Sequence, residues 1–227
     1  MRTTLVITMM LGVLCAARVS GAEMAPSSAF ELRDWKLQIF GPREVRNLAS
    51  HASDYFYLDG NRAMVFHLNA AEAGTTANAH LVRSELRHLP NWDNAGNHTL
   101  SAEVRVESRR RPDKVTVVQV HSITRDGKNA PPLLRIAVNN GDLVAIVKGA
   151  SEGDRNDTVM LKKGLASDYA KLQVTVNAGR LQILVNGEQK LERTTAYWKF
   201  HNYFKAGAYP QATEGSVDVM FRSLSVK

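Results

Sequence analysis

The sequence predicts an antiparallel β-sandwich, and three observations support this. From residue 101 onward, short runs of alternating or β-branched apolar residues follow one another at the spacing of strands. Pairs such as Asn140-Gly141 separate some of these runs, and both residues tolerate the positive φ of a tight hairpin turn. The 227 residues suffice for one domain with a large core and show no sustained helical pattern. Two packed sheets are therefore expected, arranged as a jelly roll or a related sandwich.

The N-terminal segment resembles a secretory signal peptide. Arg2 precedes an apolar run, Leu5 to Ala17, and the small residues Ser20-Gly21-Ala22 follow it. We expect residues 1–22 to be removed and residues 23–227 to form one domain, secreted or periplasmic.

The elements that follow are predicted from pattern and turn chemistry. Alternation or β-branching predicts strands at residues 101–107, 114–123, 133–138, 142–147, 171–176, 180–185, 203–209 and 216–226. Hairpin turns are expected at Asn140-Gly141, Ala178-Gly179 and Asn186-Gly187. One helical turn is expected near residues 50–57, and polar loops at 69–80, 107–114 and 152–157.

Three strands carry polar residues within an otherwise apolar pattern. Each could be an ordinary solvated face or contain a satisfied core residue. Together, however, the residue types suit a site, because Arg and Gln bind carboxylates, His and Tyr transfer protons, and Lys adds charge. Period-two alternation groups Arg83, Glu85 and Arg87 in LVRSELRHL, Gln119 and His121 in VTVVQVHSI, and Tyr203, Lys205, Gly207, Tyr209 and Gln211 in YFKAGAYPQ.

The net charge and the cysteine content indicate which binding partners to expect and whether the protein has disulfides or a metal site. The net charge of +7 falls to about +5 once Arg2 and Arg18 leave with the predicted signal peptide. A secreted basic protein without a helical pattern suits an extracellular polyanion better than nucleic acid, and a net charge that only aids solubility fits the number equally well. Cys15, the sole cysteine, lies in the signal peptide, and the seven histidines show no close ligand pair. We expect no disulfide, no metal and no cofactor.

Three blocks, taken in order, resemble the alginate lyases of polysaccharide lyase family 7. They are RSELR at 83–87, QVH at 119–121 and YFKAGAYPQ at 203–211, and DWKLQIF at 34–40 resembles the opening strand of that family. The resemblance implies a β-jelly roll whose concave sheet forms a groove for an acidic polysaccharide, alginate. It implies a single catalytic domain that works as a monomer, without nucleic acid and without membrane attachment after signal removal. It assigns catalysis to Arg83, Gln119, His121 and Tyr209, and substrate binding to Glu85, Arg87, Lys205, Tyr203 and Gln211.

The implied reaction is β-elimination. A base removes the C5 proton of a uronate, and the 4-linked oxygen leaves. Arg83, Gln119 and His121 would neutralise the carboxylate, while Glu85 would orient neighbouring guanidinium groups. Tyr209 would move the proton for mannuronate, whereas His121 would be the base for guluronate. In this family, Val at the middle of QVH is associated with mannuronate, so Val120 predicts a preference for polymannuronate.

Two other functions fit a sandwich with a polar groove. A glycoside hydrolase would need two carboxylates across the scissile bond, for which the acids of EGDRND at 152–157 are the candidates. The turn formers in that segment favour a solvated loop instead. A non-catalytic lectin would use Arg83 and Lys205 but would not need Tyr209.

Overall fold

The computed structural model describes residues 24–39, 43–70, 82–109, 113–165, 168–211 and 214–227. Its described strands are β1 (Trp35–Ile39), β2 (Glu44–Val45), β3 (Phe56–Leu58), β4 (Met64–Asn69), β5 (Ser84–His88), β6 (Asn97–Arg109), β7 (Lys114–Ile123), β8 (Asn129–Asn139), β9 (Asp142–Lys148), β10 (Asn156–Lys162), β11 (Ala170–Asn177), β12 (Arg180–Val185), β13 (Glu188–Thr194), β14 (His201–Pro210) and β15 (Ser216–Val226). A short 3₁₀ helix spans Pro26–Ser28. No helix in these ranges is long and apolar enough to span a membrane.

The strands form two antiparallel sheets, which confirms the predicted sandwich. Within the described residues, the first sheet has the order β10-β9-β8-β7-β14-β5-β1-β2, and the second has the order β13-β12-β11-β6-β15-β4-β3. One apolar core contains inward residues of both sheets, including the fully buried Phe66, Phe204 and Phe221. The second sheet follows the expected alternation: β11 buries every second residue, from Ala170 to Val176.

The predicted hairpin turns are confirmed by their backbone angles. Asn140 and Gly141 have φ of 50° and 82°, and Asn186 and Gly187 have φ of 53° and 84°. The third pair, Ala178-Gly179, also lies in the left-handed region, with φ of 46° and 73°. Two consecutive positive φ angles are those of a type I′ turn, whose twist matches that of the flanking strands.

Other local predictions need correction. The helical turn expected near residues 50–57 is wrong, because Ser53 and Phe56 exchange backbone hydrogen bonds and β3 begins at Phe56. The loop expected at 152–157 gives way to β10 at Asn156. Most of the loop predicted at 69–80 lies outside the described residues. The eight strands predicted from their pattern omit β10 and β13. Before β6, the sequence indicated β5 within LVRSELRHL and, by resemblance, β1, but not β2, β3 or β4.

The centre of the first sheet is buried on both faces. On β14, each residue from Asn202 to Ala208 is buried, although Lys205 is a cation. Phe204 packs in the main core, so Lys205 lies on the opposite face. We call this opposite face, which carries Glu85, Gln119 and Lys205, the site face.

Candidate active site

Strand pairing brings the three sequence blocks together. β14 lies between β7 and β5 and places Lys205 opposite Gln119 on one side and opposite Arg87 on the other. Gly207 lies opposite Glu85. Paired residues of antiparallel strands project from the same face, so the polar side chains of all three blocks share the site face.

A buried carboxylate holds two groups of the site face in place. Glu85, Gln119 and Lys205 are 2%, 3% and 4% exposed. The Lys205 ammonium donates to Glu85 Oε2 at 2.5 Å, and Gln119 Nε2 donates to Glu85 Oε1 at 2.5 Å. Glu85, which was predicted to orient guanidinium groups, thus bridges β5, β7 and β14 through its bonds to Lys205 and Gln119. Burial lowers the pKa of Lys205, and Glu85 opposes that change.

His121 is a neutral imidazole with a defined tautomer. Its pKa is lowered to about 3, first by burial and then by the nearby charge of Lys205. Its Nδ1 accepts the backbone N–H of Ser122 at 2.8 Å and lies 3.1 Å from the Tyr203 hydroxyl. The Ser122 carbonyl oxygen also lies 3.2 Å from Nδ1. The backbone N–H of Ser122 can only donate and approaches Nδ1 more closely, so Nδ1 is the acceptor and the single hydrogen of the neutral ring is on Nε2. His121 is therefore a donor through Nε2.

Tyr203 packs against His121, and Arg87 packs against Tyr203. Tyr203 is 7% exposed, and its ring stacks on that of His121 with centroids 5.3 Å apart. Burial raises the pKa of Tyr203 to about 12, so its hydroxyl stays protonated. The Arg87 guanidinium lies 4.1 Å from the Tyr203 ring and donates to the carbonyls of His88 and Leu89 and to the Asn91 side chain. Both residues were predicted to bind substrate, and in the structure they contact one another beside His121.

Tyr209 and Arg83 differ from these, because they have groups without a partner. The Tyr209 phenol makes no hydrogen bond to another described residue. Burial raises its pKa, Glu85 adds to the rise, and Arg83 and Arg135 oppose it. Nε of Arg83 is buried and has no hydrogen-bond partner within the described residues. Such a group is expected to meet a ligand or water.

A bulge in β14 sets the position of Tyr209. The pairing of β14 with β7 shifts between Ala206 and Tyr209. Gly207 has φ of 147°, and a Cβ there would lie 2.7 Å from Cα of Glu85 and closer still to the Ser84 carbonyl. Only glycine fits this close approach of two backbones.

Gln211, also predicted to bind substrate, anchors the end of β14. Its side chain accepts from the Thr116 hydroxyl at 3.2 Å and donates to the Tyr209 carbonyl at 2.5 Å. The amide therefore fixes the backbone of Tyr209 relative to β7.

Comparison with known proteins identifies the family. Residues 30–227 match the family described as Alginate lyase (Alginate_lyase2). The chain belongs to this family of alginate lyases. It is 32% identical to an alginate lyase of Photobacterium sp., over 76% of this chain and 72% of that relative.

Solved structures of the family share the fold. Alginate lyase A1-II′, a member of polysaccharide lyase family 7, superposes with a TM-score of 0.83 at 32% identity, covering 89% of this chain and 98% of that chain. A variant of A1-II′ in complex with the substrate GGMG has the same TM-score at 31% identity, covering 90% of this chain and 96% of that one. These matches confirm the predicted resemblance and the jelly-roll architecture.

The family assignment agrees with the placement of the acids outside the site face. Glu152 pairs with Lys199, and Asp157 pairs with Arg193 on the second sheet. The acids of EGDRND are thus not arranged as two carboxylates across a groove. In the described ranges, no group of three His, Cys, Asp or Glu residues could hold a metal ion.

One polar residue of the site face, Arg135 of β8, was not predicted from the sequence. It lies opposite Gln119. A single charge within the apolar run LLRIAV was the available indication, but the β7–β8 register that aligns it with Gln119 could not be read from alternation alone.

Proposed function

We propose that this chain cleaves alginate by β-elimination on the site face, with Tyr209 moving the proton and Arg83, Gln119 and His121 neutralising the reacting carboxylate. The observation that carries the proposal is a set of unused donors beside an unbonded phenol. Arg83 has a buried Nε without a described partner, and neutral His121 retains its Nε2 hydrogen. Gln119 uses one N–H on Glu85 and keeps the other.

The chemistry requires donors of this kind. Removal of the C5 proton places additional negative charge on a carboxylate that is already charged. Donors fixed before the reaction can stabilise that charge without reorganising, and loss of one typically slows a reaction about 10²- to 10³-fold. The Glu85 bridge fixes Gln119 in this way, and Tyr203 and Ser122 fix His121.

Tyr209 completes the elimination. As a phenolate it takes the C5 proton, the C5–H electrons form the C4–C5 double bond, and the C4–O bond breaks. The phenol then returns the proton to the leaving oxygen. Burial favours the neutral phenol of Tyr209, while Arg83 and Arg135 favour the phenolate.

We propose a preference for polymannuronate over polyguluronate. In mannuronate the C5 proton and the leaving group lie on the same side of the ring, so one residue can serve both steps. His121 is poorly suited to be a separate base for guluronate, because its pKa is about 3 and its Nδ1 already accepts a hydrogen bond. Val120, buried beneath Gln119 and His121, adds the sequence-based argument.

Initial rates on polymannuronate and polyguluronate at matched concentrations test the preference. We expect the higher rate on polymannuronate and its loss in Tyr209→Phe. A clear excess on polyguluronate would reject the preference and restore His121 as the base, without rejecting elimination itself.

The predicted signal peptide leads to a related proposal on localisation. The mature protein would act outside the cytoplasm, as a secreted or periplasmic enzyme that meets the polymer there. Mass spectrometry of the protein from its native host should find Glu23 at the N-terminus, and an intact N-terminus at Met1 would reject the proposal.

A further inference from the structure

Arg135 extends the row of polar side chains across the first sheet. It lies opposite Gln119, and therefore projects from the site face one strand beyond that residue. Neighbouring strands are about 4.8 Å apart. The row thus runs from Arg87 through Lys205 and Gln119 to Arg135, across four adjacent strands.

The guanidinium of Arg135 has no protein counter-ion within the described residues. Its side chain is partly buried, and on β9 its register partner is the apolar Ile146. Lys36 of β1, which lies opposite Arg87 just beyond the row, contrasts with it, because Lys36 pairs with Glu44 at 2.7 Å. A partly desolvated cation without a carboxylate partner suits an anionic ligand.

The charge of Arg135 also reaches the reacting groups. It favours the phenolate of Tyr209, and with burial it lowers the pKa of Lys114. Arg135 lies one strand, about 4.8 Å, from Gln119 on the same face, which is close enough to contact a polymer bound at that residue.

We propose that Arg135 binds the carboxylate of the uronate next to the reacting sugar and so forms an adjoining subsite on the β8 side. This inference rests on the proposed function, which places the reacting carboxylate at Arg83, Gln119 and His121. Each sugar of a polyuronate carries one carboxylate, so a chain crossing the strands presents its next carboxylate farther along the row. A guanidinium fits a carboxylate through two parallel hydrogen bonds, which lysine cannot reproduce.

The test measures kcat/KM on oligouronates of increasing length for the wild type, Arg135→Ala and Arg135→Lys. For the wild type, kcat/KM should rise with each added sugar until the subsites are filled. Arg135→Ala should lose one such step, about 10-fold or more on oligomers that reach the subsite, and match the wild type on shorter ones. Arg135→Lys should fall between them. Arg180→Ala, which removes an exposed guanidinium from the second sheet, should match the wild type at every length.

Two results would overturn the proposal: an equal loss at every length, or no loss at any length. Calorimetry of the longest oligouronate with Tyr209→Phe, with and without Arg135→Ala, tests binding apart from turnover. Equal affinities in that pair would also overturn the proposal. Absence of unsaturated product from the wild type would instead reject the proposed function, and calorimetry would still decide whether Arg135 binds the polymer. Where Arg135→Ala does not fold, Arg135→Gln takes its place.

Discussion

Tyr209 and His121 both lie near Arg83, yet their pKa values shift in opposite directions. Burial raises the pKa of Tyr209 above its ordinary 10.0 and lowers that of His121 to about 3. Burial disfavours the charged form of each group, and the charged forms have opposite signs. Both side chains are therefore mainly neutral at neutral pH, so the phenolate that is proposed to take the C5 proton is a minor form of Tyr209, and His121 is proposed to act as a neutral hydrogen-bond donor.

Tyr209→Phe tests the proton-transfer role. The variant should keep its fold and its affinity for the polymer but lose at least about 10² in kcat, because it lacks the group that moves the proton. Tyr197→Phe is the matched control, since the Tyr197 hydroxyl donates to the Lys148 carbonyl instead. Near-normal turnover of Tyr209→Phe would rule out the role.

His121 should remain neutral throughout the working pH range. Its folded pKa of about 3 lies below the ordinary 6.5, so acidification from pH 8 to pH 5 leaves it uncharged. NMR titration of its ring, assigned with His121→Asn, should show a midpoint near 3 and the Nε2–H tautomer. A midpoint near 6.5 would contradict the assigned donor role.

At the scale of elements, one buried ion pair joins the central strands of the first sheet. Glu85→Gln should destabilise the protein by about 3–5 kcal/mol, because it leaves the buried Lys205 cation unpaired. Urea unfolding measures the loss, and the double variant Glu85→Gln with Lys205→Met should recover part of it. Glu192→Gln, at an exposed pair with Arg180, should leave stability unchanged. Equal stability of Glu85→Gln and wild type would show that the bridge is not structural.

Gly207 should tolerate no side chain. In Gly207→Ala the added Cβ would meet the backbone of β5 at Ser84 and Glu85, so we expect a loss of about 2–4 kcal/mol in unfolding free energy. Gly60→Ala serves as the control, because a Cβ added at Gly60 would have no heavy atom within 4 Å. A stable and active Gly207→Ala would show that the bulge does not position Tyr209.

The sequence predicted those strands whose buried residues alternate clearly. β11 and β12, with their tight turn, are examples. β13 was missed because Leu191 is its single buried residue, and β10 because its first five residues are partly or fully exposed. Pairing with a neighbouring strand, rather than local pattern, makes these segments strands.

For the site, alternation predicted which side chains share one face of the sheet, but not how buried they are or what they bond to. It placed Glu85 and Lys205 together, although it could not show that both are buried and bonded to each other. The local sequence also does not predict that Arg87 contacts the ring of Tyr203, beside His121. Arg135 required a register between strands, which is set by long-range pairing.

At the scale of the whole molecule, the two sheets have different tasks. The second sheet contributes its inward residues to the core and exposes polar residues on its other face, as β11 does by alternation. The first sheet is buried on both faces at its centre and carries there the side chains that are proposed to react. The described residues contain no disulfide, yet charged side chains stay buried on the site face. The core beneath β14 makes this possible, because it fixes the backbone that carries them.

The central claim is that bonds of the polymer break by elimination and not by hydrolysis. The most direct measurement compares, on alginate, the ultraviolet absorbance of unsaturated uronates with the number of new reducing ends. Elimination creates one double bond for each new end, so the two counts should rise together in the wild type and stay near zero in Tyr209→Phe. New reducing ends without double bonds, or polymer binding without either product, would contradict the account.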